Sequence, residues 1–153
     1  MMKPYFSIQE DDPPPLHIVI NRRVRFEETD PLSIVWHGRY ASYFEDARAA
    51  MGEKYGIGYL DFYRNGIVAP IKIVHIDYHL PLRFYEDFTI EGILHWTESA
   101  RINFEYIVRN DEGRISTTGY TVQIMLDQDK NLLLLPPPFY REFRERWKEG
   151  AFQ

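Results

Sequence analysis

The sequence predicts an α+β domain in which one strongly curved antiparallel sheet of five strands wraps around a single long central helix, with a short helix near the C-terminal end. Three observations carry this expectation. Five stretches alternate apolar and polar residues with the two-residue period of a half-buried strand. One stretch instead repeats apolar residues at spacings of three and four, and the elements run strand, helix, then four strands. One helix cannot cover both faces of a flat five-stranded sheet, but a curved sheet can enclose it.

The first strand falls within residues 16–26, where Leu16, Ile18, Ile20, Val24 and Phe26 occupy even positions after Pro13-Pro14-Pro15. The helix follows from Tyr40, with Tyr43, Phe44, Ala47, Ala50, Met51 and Tyr55 on one face. Gly56 is suited to the left-handed residue that ends it. Residues 57–66 show no regular pattern. Period-two segments then occupy residues 68–80, 87–96, 102–108 and 115–126, and the break Asn110-Asp111-Glu112-Gly113 has the chemistry of a hairpin turn. Past Pro136-Pro137-Pro138, Phe139, Phe143 and Trp147 recur one helical turn apart, which places a terminal helix over residues 137–149. The whole chain, residues 1–153, reads as one domain with its core in roughly residues 16–127.

Composition narrows the function classes. Hydrophobic residues make up 44% and aromatics 16%, too many for a disordered chain and enough for a packed interior or an aromatic-lined pocket. Eighteen basic residues stand against 23 acidic ones, for a net charge of -5, and no basic run forms a nucleic-acid footprint. Without cysteine there is no disulfide, thiolate metal site or cysteine nucleophile. No apolar run is long enough to span a bilayer, and the opening residues lack the apolar core of a signal peptide. The expected setting is the cytoplasm, with no nucleic-acid or membrane partner.

The connection between the first strand and the helix, Glu28-Thr29-Asp30-Pro31-Leu32-Ser33-Ile34-Val35-Trp36-His37-Gly38-Arg39-Tyr40, is chemically richer than a connection needs to be. Loops on a rigid scaffold are where binding and catalysis concentrate. Read alone, Asp30-Pro31 is a turn initiator, His37 a helix-entry residue, and Trp36 and Tyr40 core aromatics.

Taken together, this run and the element order resemble the hotdog-fold acyl-CoA thioesterases, in particular the 4-hydroxybenzoyl-CoA thioesterase-like branch. That family's loop runs approximately Asp-Pro-x-Gly-Ile-Val-(Trp/Tyr)-(His/Tyr)-x-x-Tyr and enters the central helix, as Asp30 to Tyr40 do here. Phe44-Glu45, Ala47-Arg48, Gly66-Ile67-Val68 and Asp77-Tyr78 followed by Pro81 match as well, so the resemblance covers residues 16–127. Two positions depart from the pattern. Ser33 replaces the usual glycine, which is expected to reshape the turn or narrow the pocket, and Glu28 replaces a common aspartate.

The resemblance implies hydrolysis of an acyl-CoA or acyl-carrier-protein thioester to free acid and thiol. Asp30 would be the nucleophile or the general base toward water. The backbone N–H of His37, at the start of the helix, would polarise the thioester carbonyl. Trp36, Tyr40 and Ser33 would contact the acyl group. No cofactor and no metal are implied, and the pocket would lie between subunits of a homodimer or a dimer of dimers. Two other classes stay open: a noncatalytic acyl-CoA-binding protein that keeps the fold, and a hydratase or dehydratase using the Asp30 and His37 side chains as an acid–base pair.

Other constellations carry less. His75 and His79 lie roughly 13 Å apart if extended on a strand, too far to share a metal. Asp127, Asp129 and Asn131 begin like a calcium loop, but Leu132 stands where glycine is required, so a polar turn is expected. Arg22, Arg23 and Lys72 are candidates for coenzyme A phosphates or simply a solvated face.

Overall fold

The computed structural model describes residues 4–152 and has the expected architecture. Strand β1 (Leu16–Arg23) leads through two 3-10 turns, Phe26–Glu28 and His37–Arg39, into helix α1 (Tyr40–Tyr55). A short helix α2 (Tyr59–Arg64) follows, then β2 (Ile71–Tyr78), β3 (Asp87–His95), β4 (Arg101–Arg109), β5 (Ile115–Ile124) and α3 (Pro138–Lys148). The strands form one sheet in the order β1-β3-β4-β5-β2, every neighbouring pair antiparallel. This is the hotdog fold, with β1 and β2 as its two edges.

Helix α1 lies in the sheet's concavity. Tyr43, Phe44, Ala47 and Met51 are buried against Phe88 and Ile90 of β3 and against Ile102, Phe104, Tyr106 and Val108 of β4. Phe44 stacks on Tyr106 with ring centres 4.2 Å apart and planes 4° from parallel. The close approach depends on Gly119, where an added Cβ would stand 2.3 Å from the His75 carbonyl oxygen and 2.7 Å from the Phe44 ring. Gly56 ends α1 at φ 70°, the left-handed conformation that glycine adopts without penalty. At the C-terminal end, Pro138 opens α3, the Trp147 indole N–H donates to the Pro14 carbonyl (2.9 Å), and the Arg144 guanidinium donates to the carbonyls of Arg101 (3.0 Å) and Glu98 (3.2 Å).

Three differences from the sequence reading have local causes. The first strand stops at Arg23 rather than running to residue 26, because the Glu28 carboxylate accepts the Arg25 amide (2.8 Å) and closes a 3-10 turn there. The second strand starts at Ile71 rather than at residue 68, because Pro70 has no N–H for the ladder; Val68 pairs with Leu126 only as an isolated bridge. Residues 57–66 are not irregular but contain α2, whose first amides are served by Asp61 accepting the Gly58 N–H (2.9 Å) and whose anchor is the buried Phe62. The Asp127 segment is the expected polar turn, with one carboxylate oxygen accepting the amides of Asp129 and Asn131, each at 2.9 Å. Among the described residues no helix is long and apolar enough to cross a membrane.

Candidate active site

The loop between β1 and α1 folds back on itself as a small hairpin. The Trp36 amide donates to the Glu28 carbonyl (2.9 Å), Thr29 bridges Val35, and the Asp30 amide donates to the Ile34 carbonyl (2.8 Å). At its tip, Asp30-Pro31-Leu32-Ser33 closes with the Ser33 amide on the Asp30 carbonyl (3.0 Å). Proline at the second position suits such a turn, and Ser33 completes it at φ 63°, a left-handed conformation in which a side chain is strained. The hairpin is docked onto the segment before β3: Val35 donates to the Leu82 carbonyl (2.8 Å), and Phe84 donates to the Ser33 carbonyl (3.0 Å). Val35 and Leu82 are buried there, so Asp30 rests on a fixed base.

The two acids of the loop face different tasks. Glu28 is turned inward: one carboxylate oxygen accepts the Arg25 amide, and the other lies 3.6 Å from Arg39 Nε. Asp30 Oδ1 accepts the Leu32 amide at 2.8 Å, which orients the carboxyl group and leaves Oδ2 without a hydrogen bond among the described residues. A depression of about 360 Å3 opens beside it, lined by Asp30, Ile34, Val35, His37, Tyr40, Tyr78, His79, Leu80 and Pro81.

Helical structure begins at His37 with no side chain capping it, so the first amides there retain their donor capacity and the positive end of the helical segment faces the loop. The Tyr78 hydroxyl donates to the His37 carbonyl at 2.5 Å. Tyr40, buried, meets the Tyr78 ring edge-on at 5.5 Å and the Tyr43 ring at 5.6 Å. Burial raises the pKa values of Tyr40, Tyr43 and Tyr78, so these phenols stay protonated near neutral pH.

Of the residues singled out in the sequence, the fold brings Asp30, His37 and Tyr40 to one depression. Ser33 and Trp36 are not on its wall. Ser33 stands at the hairpin tip, and Trp36, 51% exposed, lays its indole over Gly38, where an added Cβ would come within 2.4 Å of the ring. The His37 imidazole makes no hydrogen bond with Asp30 among the described residues and lies beside the Trp36 ring, 5.2 Å between centres. Arg22 and Arg23 pair with Asp46 (3.3 Å) and Asp87 (2.8 Å). His75 contacts Asp77 (2.9 Å) and His79 contacts Thr118 (3.0 Å). The far wall is Tyr78 to Pro81, whose only local signal in the sequence is the motif of Asp77-Tyr78 followed by Pro81.

Comparison with known proteins adds a family. A family model described as the thioesterase-like superfamily matches residues 24–146. A Bacillus subtilis protein provisionally named an acyl-CoA thioesterase is 26% identical over 106 residues, covering 69% of this chain and 77% of the relative. An Aquifex aeolicus protein provisionally named an esterase is 34% identical over 96 residues, covering 61% of this chain and 73% of the relative. Among solved structures, a Staphylococcus aureus protein described as a DHNA-CoA thioesterase superposes with a TM-score of 0.78 at 25% identity, covering 88% of this chain and 93% of its own.

Proposed function

The chain belongs to the thioesterase-like superfamily, and from that premise we propose that it hydrolyses acyl-CoA thioesters to free acid and coenzyme A, with Asp30 supplying the attacking group. The observation that carries this reading is the meeting of the Asp30 carboxylate and the start of the α1 helical segment in one depression. A thioester seated there has its carbonyl oxygen toward the His37 amide and its carbonyl carbon within reach of Asp30 Oδ2. The amide stabilises negative charge as it develops on the oxygen. Tyr40 and Val35 offer apolar surface to the acyl group.

Two routes are chemically complete. In one, Asp30 attacks the carbonyl carbon, the C–S bond breaks, the thiolate leaves and takes a proton from solvent, and water then hydrolyses the acyl anhydride. In the other, Asp30 removes a proton from a water that attacks the same carbon, the tetrahedral intermediate expels the thiolate as the C–S bond breaks, and Asp30 returns its proton to the thiolate or to solvent. The isolated His37 imidazole gives no support to an acid–base pair with Asp30, which speaks against the hydratase reading. An acyl-carrier-protein thioester would present the same pantetheine thioester to the same groups.

The assembly that fits this site is a homodimer, or a dimer of dimers, formed through the β2 edge. That strand exposes Ile73, Val74 and Tyr78, whereas β1 exposes a single large apolar residue, Val19, among polar and charged neighbours. An unpaired apolar edge is resolved by pairing with its own copy. Tyr78 and the residues after it line the depression, so a partner strand would extend the wall against which an acyl chain packs.

The test is release of coenzyme A from a panel of short, long and aromatic acyl-CoAs by the wild type and by Asp30→Asn. Hydrolysis of at least one class, lowered by about two decades or more in the variant, is the expected result. A folded Asp30→Asn protein with near-normal turnover would remove Asp30 from the chemistry.

A further inference from the structure

Farther along α1, roughly 16 Å from His37 by helical rise, Arg48 reaches into a second cavity. It occupies about 320 Å3 between the later part of α1, α2, β4 and β5, and shares no lining residue with the Asp30 depression. Ile57, Leu60, Phe62, Ile102 and Phe104 make its wall largely apolar. Such a size and lining suit a small ligand with an apolar body.

Glu53, Asp61, Arg64 and Gln123 also line the cavity, but Arg48 is the lining residue with a buried side-chain atom left unpartnered among the described residues. Its Nη1 donates to the Tyr106 hydroxyl (3.0 Å), and its Nε is buried with no hydrogen-bond partner. Among the described residues Arg48 forms no ion pair with a carboxylate, unlike Arg22, Arg23, Arg25, Arg39 and Arg109. Two acids at the rim leave it uncompensated: Glu53 makes no ion pair with it, and Asp61 is committed to the Gly58 amide at 2.9 Å. Tyr106 supplies a dipole rather than a charge, because burial pushes its pKa up to about 12 and its oxygen lies 2.6 Å from the Thr121 hydroxyl. Arginine keeps its proton, so a half-buried cation borders the apolar wall with no carboxylate paired to it among the described residues.

We propose that this cavity binds the anion of a small carboxylic acid with an apolar body, its carboxylate on the Arg48 guanidinium and its body against Ile57, Phe62 and Phe104. The guanidinium matches a carboxylate in shape and charge. Free carboxylic acids are also what thioester hydrolysis releases, and in that respect the proposal rests on the function argued above. It adds a product-binding site remote from Asp30.

Sodium benzoate is the probe, titrated into the full chain by calorimetry and by amide NMR shifts. The expected result is saturable binding with shifts at Gly52, Ile57 and Gly58, at least tenfold weaker for the neutral benzyl alcohol and for Arg48→Gln, and unchanged in Asp30→Asn. Should Arg48→Gln fail to fold, Ala49→Trp plugs the cavity mouth while keeping the bond from Arg48 to Tyr106, and it should abolish the same shifts. Equal binding of benzyl alcohol, shifts gathered at Asp30 and His37, or no saturation at millimolar benzoate would each overturn the proposal. Acyl-CoA hydrolysis measured on the same preparations separates the two readings. Turnover without benzoate binding removes only this site, and binding without turnover supports the site while counting against the thioesterase.

Discussion

The hydroxyl of Tyr78, at the end of β2, donates a 2.5 Å hydrogen bond to the backbone carbonyl of His37, joining an edge strand to the first turn of the helical segment. That carbonyl shares its peptide plane with the Gly38 amide, so the bond sets how the helix start is oriented over the depression. Tyr78→Phe keeps the ring against Tyr40 and removes only the donor. One hydrogen bond is worth about 1 kcal/mol, so kcat should fall roughly five- to tenfold with KM little changed, if the geometry of the helix start matters chiefly in the transition state. Steady-state kinetics on a chain with unaltered melting checks this. An equal rise in KM at constant kcat would assign Tyr78 to substrate binding instead.

Ser33 closes the Asp30 turn at φ 63°, a conformation that costs a residue with a Cβ about 1–2 kcal/mol relative to glycine. Ser33→Gly should therefore raise stability, by roughly 0.5–1 kcal/mol once the greater freedom of glycine in the unfolded chain is counted. Urea unfolding measures it. A loss of stability would mean that the serine side chain makes a contact outweighing its backbone strain.

The same turn shows what the sequence makes legible. Asp30 to Tyr40 is contiguous, so a local pattern suffices to nominate Asp30, His37 and Tyr40, and the chain brings all three to one depression without long-range help. The alternation of Phe88 with Ile90, and of Ile102, Phe104, Tyr106 and Val108, is equally legible because each lies on the buried face of an interior strand. Helix α2 is not, since Tyr59, Leu60 and Tyr63 are exposed and Phe62 alone of its six residues is buried, which leaves no apolar stripe to read. The wall from Tyr78 to Pro81 is hidden for another reason. Its approach to Asp30 is made by pairing of β2 with β5 and by docking of the hairpin on Leu82 and Phe84, relationships that no local periodicity encodes.

For His37 the expected dependence is on the backbone. The imidazole lies beside Trp36, while the main chain carries the hydrogen bond from Tyr78 and the helix-start amide. His37→Ala keeps both main-chain groups and should retain activity within about tenfold of wild type, far above Asp30→Asn. Coenzyme A release under saturating substrate reads the difference. A loss as deep as that of Asp30→Asn would bring the imidazole into the chemistry and revive the acid–base pair.

The β2 edge supplies the last expectation. Val74 is 48% exposed at the middle of a strand whose one neighbour is β5. Placing a charge there discourages strand pairing and leaves the concave core untouched, because Val74 is not part of that core. Val74→Glu should lower the mass measured by light scattering from at least twice that of the chain to that of one chain, with melting little changed. Activity should fall with it, since a lone subunit presents Tyr78 and Pro81 as an open wall, and a shallow apolar surface holds an acyl group weakly. The decisive comparison is activity against assembly state across a dilution series of the wild type. Turnover per chain that stays constant while the dimer dissociates would show that each depression is complete in one subunit, and the edge would then serve assembly alone.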